Sequence, residues 1–291
     1  MAKPNRRIWH RLSAASAIIL CSCTPSPDSP SATAFPNWPT EFNSFRFHWG
    51  AAPGIDLTSG PAVAVRAYVE SYRLGFLSRR ESSVAYPGFL QATPENLPED
   101  PGTPAELSDI RPEPLPTPDD DDPNNSPTEF FGYQPSYILT LEQIGNSYRV
   151  TVCEGYYATF RKSETDGKFL SIITDLPNGT SQYGEQAAVH VRRIDLTNQA
   201  APGGVDTPAS QQSGPMPAPS NDVFKPWFIS AASTFLWGPL GKANTVSPPE
   251  LQQQCADHMP DDAPARKALY TGLHDQPPPH GDPIPGWPDQ E

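Results

Sequence analysis

One histidine in this 291-residue chain sits where a strand could present it for chemistry. His190, flanked by Val189 and Val191, can act as a general base if a neighbouring group orients it. Glu154 can supply a carboxylate at the same site, although histidines on strands more commonly serve packing. The motifs that would commit the chain to a reaction are missing. No Gly-x-Ser-x-Gly raises a serine on a strained turn, and there is no P-loop, dinucleotide fingerprint or His-Glu-x-x-His, so no cofactor is expected. His258, His274 and His280 lie among Pro and Asp residues, too loosely spaced for a dedicated metal site. The run Asp119 to Asp122 lacks the spaced ligands, central Gly and closing Glu of an EF-hand loop and reads as a solvated acidic run. Tyr156, Tyr157, Phe160, Trp227 and Trp237 can line a cup for an apolar or glycan ligand. The reading we favour is that these rings fill the core of a proline-rich domain.

The cysteines carry a different kind of chemistry. Lys3, Arg6, Arg7 and Arg11 precede a short apolar run from Leu12 to Leu20, the layout of a secretory leader and too short to span a bilayer. Leu20, Cys21, Ser22 and Cys23 then resemble the lipobox of bacterial lipoproteins, which implies cleavage after residue 22 and a diacylglycerol thioether on Cys23. The alternative is an ordinary cleaved signal with incidental cysteines. Two acyl chains anchor where one binds only reversibly, so the expected location is the extracytoplasmic face of the cell membrane. The Ser- and Pro-rich stretch at 23–40 favours extended, solvated backbone and suits a tether.

Removing 22 leader residues leaves 269, and losing four cations takes the net charge from −13 to −17. Such a chain repels nucleic acid. With Cys21 removed and Cys23 acylated, Cys153 and Cys255 remain in an oxidising compartment and are expected to pair, the alternative being two buried thiols. Closing that loop would stabilise the fold by about 4 to 5 kcal/mol in the chain-entropy account.

The elements that must position these groups follow from periodicity. Phe45 and Phe47 alternate about Arg46 and hint at a short strand. Gly60-Pro61 opens a helix in which Val65, Tyr68, Val69, Tyr72 and Phe76 share a face, while Arg66, Glu70 and Arg73 fall mostly off it. That helix is expected to be amphipathic and half-buried. Between Pro94 and Pro127 ten prolines and ten acidic residues face one basic residue, Arg111, which predicts a disordered or extended insertion at about 93–128. Strands are expected over 137–142 and 148–153, joined by a turn at Gly145-Asn146, then over 156–161, 168–173 and 187–194, as an antiparallel meander.

A long early helix followed by a curved meander resembles the NTF2-like α+β cone, in which helices fold across a curved sheet and leave a pocket. The stretches Pro61 to Ser71, Tyr86 to Phe89 and Tyr148 to Tyr156 resemble those of uncharacterised actinobacterial lipoproteins. The resemblance implies an α+β domain over 41–197, with long Pro-rich irregular segments and a pocket where His190 could work as the base of a hydrolase or isomerase. The remaining boundaries read as a linker at 198–222, a C-terminal segment docked on the domain at 223–270, with a helix at 250–258 carrying Cys255, and a loose tail at 271–291. The expected role is a lipid-anchored, non-catalytic module that binds a small ligand or an envelope protein. The rivals are the His190 enzyme and a structural envelope protein.

Overall fold

A computed structural model describes residues 34–78, 82–112, 128–174, 184–198 and 211–289. Cys23, the leader and the run Asp119 to Asp122 lie outside the described residues. The described residues belong to one compact unit.

The alternating aromatics of β1 (Ser44–Ala51) bury Phe45, Phe47 and Trp49. A loop tied by Asp56, which accepts from Thr58 Oγ1 at 2.7 Å and Ser59 Oγ at 2.6 Å, then leads into α1 (Gly60–Ser78). The helix carries the chain across the sheet, and β2 (Phe130–Ile144) returns parallel to β1, with Ser44 opposite Phe131 and Ala51 opposite Ile138. A parallel return needs such a crossover, because a hairpin can only reverse direction. Gly145, at φ 62°, makes the tight turn into β3 (Ser147–Gly155), with Ile144 opposite Ser147 as the two-residue hairpin signal predicted.

Beyond that hairpin the simple meander fails. The short strand β4 (Thr159–Lys162) folds back onto the start of β2, at Phe130 to Gly132, and β5 (Phe169–Ser171) pairs with the other edge of β4. The next strand, β6 (Val189–Asn198), follows the one-turn helix α3 (Glu185–Ala188) and takes the free edge of β3. It is joined in turn by β7 (Trp227–Ser233). The result is a strongly curled half-barrel, antiparallel except for β1 with β2, in a mixed α+β protein with few helices.

Both faces of the sheet are covered. Val150, Val152, Ile194, Leu196 and Ile229 face α1 in the larger core. Cys153, Val189 and Val191 point the other way, into a second core closed by α4 (Pro249–Asp257) and α5 (Ala263–Tyr270). The disulfide between Cys153 and Cys255, with Cα atoms 5.1 Å apart, ties α4 to β3. Among the described residues no helix is long and apolar enough to cross a membrane.

Four expectations are corrected. First, α1 is not half-buried: Ala62 to Gly75 are buried without a break, Arg66, Glu70 and Arg73 included, while Phe76 is 58% exposed. The reason lies in the second correction, since the irregular segments form a layer over the outer side of α1. Residues 93–112, the first part of the supposed disordered insertion, are ordered: Tyr68 and Tyr72 donate to Ile110 O and Asp109, while residues 102–105 exchange backbone hydrogen bonds with Gly238 and Leu240. Third, residues 211–222 of the supposed linker pack likewise and bury Ala218. Fourth, the tail is not loose: Ile284 pairs with β1 and Trp287 exchanges two backbone hydrogen bonds with Met216.

Candidate functional site

Strand register brings the two sequence-derived candidates together. Ser136 on β2, Glu154 on β3 and His190 on β6 are directly opposite one another in adjacent strands, and so share one face of the sheet. Arg192 stands two residues beyond His190 on that face, and α1 lowers Arg73 onto it. Glu154 is buried and fully engaged: Arg192 Nε donates to its Oε1 at 2.6 Å and the Tyr156 hydroxyl to its Oε2 at 3.2 Å. The Arg192 guanidinium lies 4.3 Å from the Tyr72 ring centroid, and that of Arg73 lies 3.8 Å from the Tyr156 centroid. Arg73 also donates from Nε to Gln134 Oε1 at 2.9 Å. His190 stacks on the outer side at 4.5 Å from Tyr156, and this half-buried pair forms the rim.

Burial and charge compete in this cluster. Desolvation lowers the pKa of His190 and outweighs the opposing charge of Glu154, so the imidazole is held neutral. Burial also lowers Arg73. Burial opposes charge on Arg192 too, but Glu154 holds it well above its ordinary value. The Tyr156 hydroxyl is pushed up to about 12, by burial first and by Glu154 second. A neutral imidazole can accept a proton, yet the carboxylate that would orient it is occupied by Arg192 and Tyr156.

A second polar centre lies nearer the start of α1. Glu70 is buried and accepts from Trp49 Nε1 at 2.7 Å, the Tyr86 hydroxyl at 2.8 Å and Trp287 Nε1 at 2.9 Å. Burial raises its pKa despite Arg66 and these three donors. Arg66 stacks 4.2 Å from the Trp287 ring centroid and donates to the carbonyls of Leu57, Gln212 and Pro285. This centre closes the outer layer over α1 and is structural in character.

The five aromatic candidates do not line one cup. Tyr156 belongs to the rim, but Tyr157 points into the opposite core and donates to Asp261 at 2.9 Å. Phe160 is buried 5.2 Å from the ring of His274. Trp237 lies under Arg193, 3.7 Å from its guanidinium. Trp227 packs edge-on to Tyr148 and lines a separate cavity of about 390 Å³ with Phe224, Pro226, Asp222 and Gln91, the last from α2 (Phe89–Ala92). His258 stacks on Tyr137, 4.5 Å between centroids. Among the described residues no three His, Cys, Asp or Glu side chains gather as a metal would require.

Sequence reasoning missed Arg73, Arg192, Gln134, Ser136, Glu70 and Trp287. Gln134 and Ser136 had a usable signal, because they stand at alternate positions with Phe130, Gly132 and Ile138 on the buried face of β2. By architecture the chain is a mixed α+β protein with a curled half-barrel sheet and a polar cluster under its helix. No family model, curated protein or solved structure matches it.

Proposed function

We propose that the protein is a lipid-anchored, extracytoplasmic and non-catalytic module that binds a small ligand or an envelope protein at the cell surface. The observation that carries the non-catalytic reading is the engagement of both Glu154 oxygens, which leaves His190 without a free carboxylate partner. The Cys153–Cys255 disulfide supports export to an oxidising compartment, and the leader with Cys23 supplies the anchor in this reading. The same reading takes the core as an NTF2-like cone of the kind found in actinobacterial lipoproteins. Support for it comes from the order of helix α1 followed by antiparallel β2, β3, β6 and β7. Intact-mass measurement on the protein from the membrane fraction of its host tests the proposal. A chain beginning at acylated Cys23 and gaining two hydrogens on reduction agrees with it; an unmodified cytosolic chain that retains Met1 refutes it.

The enzyme reading has one observation in its favour, the neutral His190 opposite Glu154 in register. It requires that His190→Gln abolish turnover of a substrate while the fold is kept.

A further inference from the structure

Three buried polar atoms under α1 have no hydrogen-bond partner in the protein, and all three can donate: Arg73 Nη2, Gln134 Nε2 and Ser136 Oγ. The carboxamide orientation of Gln134 is set by its neighbour. Its Oε1 accepts from Arg73 Nε at 2.9 Å, and reversing the amide would bring two donors face to face. Nε and Nη2 share one edge of a guanidinium, so the idle Nη2 is on the edge that faces the Gln134 carboxamide. Ser136 is the next residue along that face of β2.

The charge around these donors is unbalanced. Arg73 and Arg192 are only 4% and 2% exposed. Glu154 is the one carboxylate among the groups that act most strongly on either of them, and Arg192 holds one of its oxygens. Buried charges are ordinarily paired, and among the described residues no carboxylate forms an ion pair with Arg73: Glu154 is held by Arg192, and Asp109 accepts from Tyr72 at 2.6 Å. A water molecule could accept from the idle donors but would leave that charge uncompensated. Tyr156 and His190, stacked with centroids 4.5 Å apart, are half-buried members of the same cluster.

We propose that Arg73, Gln134 and Ser136 bind one small monovalent anion, a halide ion or the carboxylate end of a small molecule. The anion neutralises the second guanidinium and satisfies the three idle donors. It would be the ligand-recognition element of the binding module proposed above, but its test reads anion binding alone. An unlipidated chain that responds to anions would refute the anchor and leave the site standing, and the converse result would do the opposite.

The test is thermal unfolding of the disulfide-intact mature chain as sodium sulfate, a dianion outside the proposed class, is replaced stepwise by sodium bromide at constant ionic strength. The expected result is a Tm that rises and saturates, as for any ligand of the folded state. Gln134→Glu places a carboxylate against the same edge of Arg73 and is expected to weaken the apparent bromide affinity about tenfold or more. Should that variant not fold, Ser136→Ala is expected to weaken it in the same direction. An acetate series that saturates likewise identifies a carboxylate-accepting site, and one that stays flat identifies a halide site. Crystals grown with bromide should show an anomalous peak between Arg73 and Gln134. A flat wild-type response to both anions, an equal response in the variants, or a water at that position with bromide elsewhere overturns the proposal.

Discussion

Replacing Trp287 by Ala separates a docked C-terminal strap from a loose tail more sharply than any other single change. The indole is 1% exposed, its Nε1 donates to Glu70 at 2.9 Å, and Arg66 stacks on its ring. Truncating a buried Trp costs about 3 to 5 kcal/mol through lost burial and the cavity left behind. A hydrogen bond to a charged group contributes about 1.5 to 3 kcal/mol, and a desolvated cation–π contact about 2 kcal/mol. These contributions describe one side chain and overlap, so we expect a loss of about 5 kcal/mol rather than their sum. Because single domains have only about 5 to 15 kcal/mol in total, the comparison belongs in urea titrations at low temperature. Trp287→Phe keeps most of the ring and removes the donor, and should lose about 1 to 3 kcal/mol. A Trp287→Ala chain within about 0.5 kcal/mol of wild type, the range of ordinary surface changes, would refute the buried strap and the assignment of Glu70 as its anchor.

The other expectations concern the sheet and the rim. Reduction of Cys153–Cys255 opens a loop spanning 102 positions and should lower stability by up to about 4 to 5 kcal/mol, read as a lower urea midpoint with dithiothreitol; an unchanged midpoint would mean that α4 is held by packing alone. Glu154→Gln strands Arg192, which is 2% exposed, and should cost about 3 to 5 kcal/mol. Adding Arg192→Met should restore much of that loss, and a double variant no better than the single would argue against the pair. His190 has a folded-state pKa below its unfolded value, because burial disfavours the imidazolium. The unfolded chain therefore takes up the proton first, and stability should fall as pH drops below about 6.5, until the folded-state pKa is reached. In His190→Gln the decline between pH 7 and pH 5 should be shallower than in wild type, although His48 shifts the same way in both proteins and leaves a residual slope. Equal slopes would remove His190 from that balance.

The parts of the fold legible in the sequence are those with local causes. Gly145-Asn146 sets the β2–β3 hairpin, alternating Phe45 and Phe47 mark β1, and Gly60-Pro61 opens α1. The sheet order was not legible, because nothing in residues 156–173 says that β4, with β5 on its other edge, returns to β2 rather than extending from β3. Helix α1 misled for a similar reason. Its Arg66, Glu70 and Arg73 stand where a solvent face would carry charges, and the groups that bury them, from Gln134 to Gln212, Pro285 and Trp287, come from 61 to 219 positions away. Of the site, His190 and Glu154 were legible as residue types; their register across β3 and β6 was not.

The same arginines explain how so proline-rich a chain covers a helix. Proline has no N–H to lose when irregular backbone is buried, but every residue still brings a carbonyl that needs a donor. Regular structure would supply backbone donors; here arginine supplies them. Arg66 reaches Leu57, Gln212 and Pro285, joining the loop before α1 to both distant segments laid over it. Arg111 donates to the carbonyls of Leu90 and Thr93 at 2.9 and 2.6 Å, and Arg46 serves Asn43 and Phe45 at 3.0 and 2.6 Å. One guanidinium carries five donors in a fixed plane and can bind several strands of backbone at once, which a lysine ammonium on a flexible stem does less well. Arg66→Lys should therefore destabilise the outer layer although the charge is kept, and hydrogen exchange should quicken first in residues 211–218 and 284–287. Exchange that quickens uniformly across the sheet instead would show that Arg66 supports the core as a whole rather than the coat over α1.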